Sequence, residues 1–242
     1  MLLFLSNTQL VTTLCGPGLV RAPTLSLLAP GFWLLFICYL LSAILPVPST
    51  LTPFSAALLA GGHSRRMGRD KRLLVVDWER EPVPLWRRQL NVLRRLAPAE
   101  LLISGLPDLD YPLDVTVVPD KIKDAGPLAG IASCLEVAQS RLVLVLAVDL
   151  PHITPEYLAS LVQAAAPGRG VVPAIEHELE PVAAVYPVEA VRTAFACVQR
   201  GERSVQAFAR RLVQNGLVNI RPVTAGEAPL FRNWNSPQDI GE

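Results

Sequence analysis

From residue 54 onward, short apolar runs alternate with segments whose apolar positions recur at helical spacing. "FSAALLAGG" (54–62) reads as a short buried strand ending in glycine, and "ELLISG" (100–105) and "VTVVPD" (115–120) read as two more. "RLVLVLAVDLP" (141–151) is an uninterrupted apolar run closed by Asp149, the pattern of a central parallel strand buried on both faces. "GVVPAIE" (170–176) and "EPVAAVYP" (180–187) are further strand candidates. Between them, "PLWRRQLNVLRRLA" (84–97) carries apolar residues at 85, 86, 90, 93 and 96 with arginines on the other face. "PLAGIASCLEVAQS" (127–140) opens a helix with proline at its first position. "TPEYLASLVQAAAPG" (154–168) starts with Thr154 as cap, Pro155 next and Glu156 in the first turn. "VEAVRTAFACVQRG" (188–201) and "SVQAFARRLVQNG" (204–216) are helical, each ending in glycine. Strands alternating with helices predict an α/β chain of three layers, a doubly wound, mostly parallel sheet joined by right-handed crossovers.

Residues 1–53 do not share this pattern and form a separate apolar leader ahead of a domain at 54–242. "GFWLLFICYLLSAIL" (31–45) is uncharged and lies between Pro30 and Pro46. As a helix it would reach about 22 Å, against a bilayer core of about 30 Å that needs about 20 residues. The first twenty residues have no basic group, and "SAILPVPST" is a poor cleavage site for a signal peptide. A mis-assigned start or disordered appendage, a membrane anchor and a cleaved signal are the three readings, in that order.

The charge of +1 on 242 residues is unevenly spread. Arg21 is the single charged residue before Arg65, so the rest carries 21 basic and 21 acidic residues, a balance that argues against a nucleic-acid surface. The four cysteines have no metal or redox spacing and read as buried free thiols. His63, His152 and His177 are far apart and suggest no zinc cluster.

In a sheet of this kind ligands bind beyond the carboxyl ends of the strands. The residues there are "AGGHSRRMGRDK" after the first strand, Ser104 and Gly105 after the second, Asp120 after the third and Asp149 after the fourth. Gly61 and Gly62 let the backbone turn tightly and bring its N–H groups close to an anion. Arg65, Arg66, Arg69, Lys71 and Arg72 add cations to the same loop, a combination that suits a polyphosphate; a solvated turn is the plainer reading. The spacing matches neither the P-loop nor the dinucleotide fingerprint nor the nucleophile elbow.

"LAGGHSRRMGRDK" resembles the signature L-A-G-G-x-S-x-R-M-G-x-D-K of the molybdenum cofactor guanylyltransferases, the MobA family of nucleotidyltransferases. "PDKIKDAGPLAGI" (119–131), "AVDLP" (147–151), "EPVAAVYP" and "FRNWNSPQDI" (231–240) resemble four further family motifs, in family order, over residues 55–240. The chain departs from the family in its leader and in "VVDWEREPVPLW" (75–86), a long acidic and aromatic connection where a short turn is usual. Ser104 stands where asparagine is common, and Trp234 where a smaller apolar residue is usual.

The resemblance implies a Rossmann-like fold of the nucleotide-diphospho-sugar-transferase type and transfer of GMP from GTP to molybdopterin, releasing pyrophosphate. It implies Mg²⁺, with Asp149 as metal ligand, and catalytic roles for Lys71, Asp149 and Arg66. Leu59, Ala60, Gly61, Gly62, Lys71, Ser104, Asp120 and Asp149 would bind nucleotide, and Asn233 and Asn235 the acceptor. The implied partners are GTP, a molybdopterin-type cofactor and, further, molybdoenzymes or other cofactor-biosynthesis proteins, in the cytoplasm; a membrane enters only through the leader. Cytidylyl transfer to the same cofactor, or nucleotidyl transfer to a sugar phosphate or other small metabolite, is the alternative. A non-catalytic nucleotide-binding or membrane-tethered relative is more distant, since Lys71 and Asp149 are both present.

Deleting residues 1–53 is expected to leave a soluble, active protein that aggregates less, because an exposed "FWLLFICYLL" invites association. Loss of nucleotide binding on deletion, measured by calorimetry, would show that the leader belongs to the fold.

Overall fold

The computed structural model describes residues 52–61, 70–105, 108–122 and 126–234; the leader up to residue 51 lies outside the described residues. In chain order the elements are β1 (Ser55–Leu59), β2 (Val75–Trp78), β3 (Glu81–Pro84), α1 (Leu85–Arg94), β4 (Glu100–Ser104), β5 (Val115–Val118), α2 (Pro127–Val137), β6 (Leu142–Ala147), α3 (Pro155–Ala164), β7 (Gly170–Ile175), β8 (Glu178–Leu179), β9 (Ala183–Pro187), α4 (Val191–Gln199), α5 (Val205–Gln214) and β10 (Val218–Pro222). Single 3₁₀ turns occupy Lys71–Leu73, Val188–Ala190 and Ala228–Phe231.

The main sheet runs β10-β7-β9-β6-β1-β4-β5, with β8 paired to β7. β1 pairs in parallel with β4 and β6, β4 with β5, and β7 with β10. β9 runs antiparallel to both β6 and β7, and the short β8 antiparallel to β7, so the sheet is mostly parallel with β9 reversed near its middle. Every side chain of β1 and β6 is buried. Their period-2 alternation sorts the side chains between two cores. Leu142, Leu144 and Leu146 join Ala56 and Leu58 on the α1 and α3 face. Val143 and Val145 join Ala57 and Leu59 on the α2, α4 and α5 face. The small residues of β1 let helices approach both faces of the sheet. A continuous apolar run is therefore what this position demands, and the α/β reading of the sequence is correct.

The helices follow their predicted signals with shorter ends. α3 is capped by Thr154, whose hydroxyl accepts from the Tyr157 amide, with Pro155 at the first position. α5 is capped by the Ser204 hydroxyl, which accepts from the Ala207 amide. Cys134 and Cys197 are buried free thiols, and burial pushes the Cys134 thiol up to about 12.

Besides the two-residue β8, two elements are absent from the sequence reading. The connection at 75–84 is a hairpin of β2 and β3, in which Trp78 pairs with Glu81 across a two-residue loop. Both loop residues, Glu79 and Arg80, have positive φ (54° and 73°). Primed turns of this kind favour Asn-Gly, and no such signal marks the chain here. The hairpin is held to α1 by Trp78, over whose ring lie Arg88 and Arg95 at 5.3 and 4.7 Å from the centroid. The other missed element is β10, an edge strand with exposed Asn219 and Ile220, whose single outward apolar residue conceals its period.

Replacing Glu79-Arg80 by Asn-Gly is expected to stabilise the protein by about 0.5–1 kcal/mol, by removing two positive-φ side chains. The lost Glu79–Arg95 ion pair is exposed and contributes little. A urea midpoint that rises at constant slope would verify this; a lower midpoint would show that the ion pair outweighs the backbone strain.

Candidate active site

The carboxyl ends of β5, β4, β1 and β6 lie side by side at one edge of the sheet, because Leu59 of β1 pairs with Ser104 of β4 and with Ala147 of β6. Asp120 follows β5 by two residues and Asp149 follows β6 by two. Three strand spacings separate them, about 14 Å at ~4.8 Å each. The edge therefore has a β4–β5 half and a β6 half, joined by the end of β1.

On the first half, the Ser104 hydroxyl donates to Asp120 Oδ1 at 2.9 Å. Asp120 is half-buried, and burial raises its carboxyl above the ordinary range while the Ser104 hydrogen bond opposes the rise. The chain can crowd here because of its glycines. Gly105 has φ +141°, and a Cβ there would sit 3.3 Å from the Gly61 nitrogen. A Cβ on Gly130, in the first turn of α2, would sit 2.1 Å from Ser104 Oγ. The glycine of "GPLAG" thus has a packing role: it lets α2 press against the Ser104–Asp120 pair. The amide of Ala60 donates to the Ser104 carbonyl at 3.1 Å, tying the end of β1 to the same group.

On the second half, Lys71 Nζ lies 3.7 Å from Asp149 Oδ2, with both side chains largely but not fully buried. Lys71 opens a 3₁₀ turn capped by Asp70, whose carboxylate accepts from the Arg72 amide at 2.9 Å. Arg72 is not the phosphate ligand that the run of cations suggests. Its guanidinium is held by Asp70 and by Asp108, each at 2.7 Å, and the two carboxylates raise its pKa further. Arg72 instead anchors the turn that presents Lys71.

Two side chains near Asp149 were missed by sequence reasoning. Gln89, fully buried on α1, donates to the Leu150 carbonyl at 2.6 Å and fixes the chain just beyond Asp149. A buried glutamine inside an arginine-rich helix face gives no sequence signal of its own. Glu180 is the second. The β6–β9 register pairs Leu146 with Ala183, and the Ala147 amide donates to the Val182 carbonyl at 2.7 Å. Glu180 opens the turn that leads into β9, with its own amide donating to the Pro173 carbonyl and its carbonyl accepting from the Ala183 amide. Burial first, then the charges of Glu178 and Asp149, push the Glu180 carboxyl up to about 7.

Near the C-terminus, Phe231 is buried against Tyr157, with ring centroids 5.2 Å apart. The Trp234 amide donates to the Asp149 carbonyl at 3.1 Å. Asn233 lies between these two anchors and is exposed, on the β6 side of the edge. The structure thus brings Leu59, Ala60, Gly61, Lys71, Ser104, Asp120, Asp149 and Asn233 to one edge of the sheet. Gly62, Arg66 and Asn235 lie outside the described residues.

A mostly parallel sheet with a lysine–carboxylate pair past its central strand and glycine-lined backbone beside it is the arrangement of a nucleotidyltransferase. The chain belongs to the MobA-like NTP transferase domain family, whose model matches residues 56–215. An Opitutus terrae protein named "Probable molybdenum cofactor guanylyltransferase" is 37% identical over 189 residues, 76% of this chain and 92% of its own length. A Pseudomonas syringae protein named "Molybdenum cofactor guanylyltransferase" is 32% identical over 201 residues, 79% of this chain and 93% of its own. Among solved structures, molybdopterin-guanine dinucleotide biosynthesis protein A from Archaeoglobus fulgidus superposes with a TM-score of 0.59 at 24% identity, covering 77% of this chain and 94% of that one. The 2-C-methyl-D-erythritol 4-phosphate cytidylyltransferase of Thermus thermophilus gives 0.55 at 18% identity, covering 76% and 94%. These two likenesses speak to the fold, which guanylyl- and cytidylyltransferases share. Among the described residues no helix is long and apolar enough to cross a membrane.

Because the Glu180 carboxyl lies above its usual 4.5 in the folded protein, the native state holds that proton more tightly than the unfolded chain does. Its contribution favours folding below about pH 4.5 and is lost as pH rises towards 7. Glu180→Gln is expected to stabilise the protein at pH 8 relative to pH 5. The gain is roughly 1 kcal/mol, since solvent screens a half-exposed group. Denaturant midpoints of both proteins across pH 5–8 measure it, and parallel profiles would contradict it.

Proposed function

We propose that the domain transfers GMP from GTP to a molybdopterin-type acceptor and releases pyrophosphate. The observation that carries this reading is the Lys71–Asp149 pair at the end of the central strand, in a chain whose relatives bear the guanylyltransferase name over most of their length. In the reaction an acceptor phosphate oxygen forms a bond to the α-phosphorus of GTP. The bond from that phosphorus to the bridging oxygen breaks, and its electron pair leaves on pyrophosphate. Such a step needs little covalent chemistry from the protein and depends on alignment and charge neutralisation.

The two halves of the sheet edge divide this work. On the β4–β5 half, Ser104 and Asp120 offer a hydroxyl and a carboxylate to ribose or base, beside the exposed backbone of Gly61. On the β6 half, Lys71 is set to neutralise charge that grows on the phosphates. The ~14 Å between the halves suits a ligand as long as a nucleoside triphosphate. Asn233 faces solvent beside the β6 half and is assigned to the acceptor, with Asn235.

Asp149 would hold Mg²⁺. Among the described residues no group of three or more His, Cys, Asp or Glu side chains could cage a metal. That fits a hard cation that takes most of its oxygen ligands from phosphates and water. When bound, the cation supplies charge neutralisation at the phosphates. GTP and a reduced pterin are cytoplasmic metabolites, so the reaction is assigned to the cytoplasm. Enzymes that make the pterin or receive the dinucleotide are the expected protein partners.

With GTP, Mg²⁺ and the pterin acceptor, the wild-type domain is expected to turn over and to prefer GTP to CTP and UTP. Equal use of CTP or UTP would overturn the guanylyl assignment. Asp149→Asn should lose several kcal/mol of transition-state stabilisation, on the order of 10²–10³ in kcat. Lys71→Ala should lower kcat far more than it weakens GTP binding. Near-normal turnover by Asp149→Asn at moderate Mg²⁺ would remove this residue from the metal site.

A further inference from the structure

We infer that Trp234 is a positioning residue, a strut that holds Lys71 and Asp149 in register with each other. The inference rests on reading their surroundings as the nucleotidyl-transfer centre. Lys71 and Asp149 come from parts of the chain far apart in sequence, and among the described residues no strand pairing links the Lys71 turn to β6. Their 3.7 Å approach therefore needs something to set it.

Trp234 touches both sides. Its amide donates to the carbonyl of Asp149 itself, at 3.1 Å. Its indole packs into a small cluster made by Leu74 and Leu85, together with Val76 and with Val148, the neighbour of Asp149. Leu74 closes the Lys71 turn, since its amide donates to the Lys71 carbonyl at 3.2 Å. The Leu74 carbonyl in turn accepts from the Leu85 amide at 2.7 Å, which locks the turn to the start of α1. One residue thus bonds the backbone of Asp149 and packs against the leucine that closes the Lys71 turn.

The strut is itself well placed. Phe231, three residues earlier, is buried against Tyr157 of α3, and the 3₁₀ turn at Ala228–Phe231 leads directly into it. The His152 ring meets the indole edge-on, with centroids 6.2 Å apart. The indole Nε1 is buried and, among the described residues, has no hydrogen-bond partner. Ring volume and apolar contact are what the described structure supplies for the positioning. A smaller residue at this position would leave the cluster underfilled.

The test uses the full chain with three proteins: wild type, Trp234→Ala and Trp234→Phe. Hydrogen–deuterium exchange at the Leu74 and Leu85 amides is read first, because it requires no turnover. Trp234→Ala should exchange at least tenfold faster there, and Trp234→Phe should lie near wild type. Unchanged exchange in Trp234→Ala overturns the strut whatever the reaction proves to be. Steady-state kinetics at a temperature where all three are folded come second. Trp234→Ala should lose at least tenfold in kcat with KM for GTP within about threefold, and Trp234→Phe should recover most of the loss. A rise in acceptor KM in Trp234→Phe, with kcat kept, would show instead that Nε1 donates to the acceptor, and would overturn the inference. Wild type inactive with GTP and acceptor would count against the guanylyl reading alone, since the exchange result stands apart from it.

Discussion

Strand β6 lies at the centre of the sheet, with a parallel neighbour on one side and an antiparallel one on the other. Six consecutive residues are buried on both faces. A charge inside that run would be stripped of water without a partner, at a cost of several kcal/mol. The first position that can carry a carboxylate is past the last ladder pair, and Asp149 takes it. What surrounds Asp149 secures this exit: Gln89 on the Leu150 carbonyl, the Trp234 amide on the Asp149 carbonyl, and the Val148 amide on the Leu59 carbonyl. Each satisfies a backbone group that the sheet leaves behind as its ladder ends. The candidate site's edge thus follows from the sheet terminating cleanly at one level.

The other half of the edge meets a different constraint, crowding. Helix α2 has to cover the face of β4 and β5, and its first turn arrives directly over Ser104. Only a residue without a Cβ fits there, since a methyl group on Gly130 would overlap the Ser104 oxygen. The pressure from α2 partly buries Asp120 and holds Ser104 in hydrogen-bonding contact with it. The asymmetry between halves is chemical as well as geometric. Asp120 faces a neutral hydroxyl in a confined place, while Asp149 faces an ammonium.

Much of this was legible in the sequence, for reasons that differ from element to element. "RLVLVLAVDLP" announces β6 and its terminal carboxylate because burial on both faces allows no other composition. The cap Thr154 announces its helix because orphan amides need acceptors. The hairpin was hidden because Glu79 and Arg80 adopt positive φ without glycine or asparagine, so that context overrides local preference. Gln89 and Glu180 were hidden because their roles are set by tertiary register, which no local pattern encodes. The glycine–arginine run was misleading in one respect: its cations look uniform in sequence, yet the two that are described, Lys71 and Arg72, have unlike surroundings.

Arg72 and Lys71 make that last point physical. They are adjacent, both cationic and both at the end of one loop. The planar guanidinium of Arg72 is held by two carboxylates, Asp70 and Asp108, in charge-assisted hydrogen bonds that a single ammonium could not make together. The Lys71 ammonium is a compact point charge on a flexible stem, 3.7 Å from one carboxylate and short of hydrogen-bond distance. A lysine ammonium on its flexible stem can turn towards a new anion more readily than a guanidinium fixed between two carboxylates. Exchanging the two residues would leave the net charge of the loop unchanged. It would also put a lysine where two carboxylates meet a planar fork, and an arginine beside Asp149. The order Asp-Lys-Arg therefore separates an anchored guanidinium from an ammonium turned towards the end of β6, the arrangement that the proposed reaction would use.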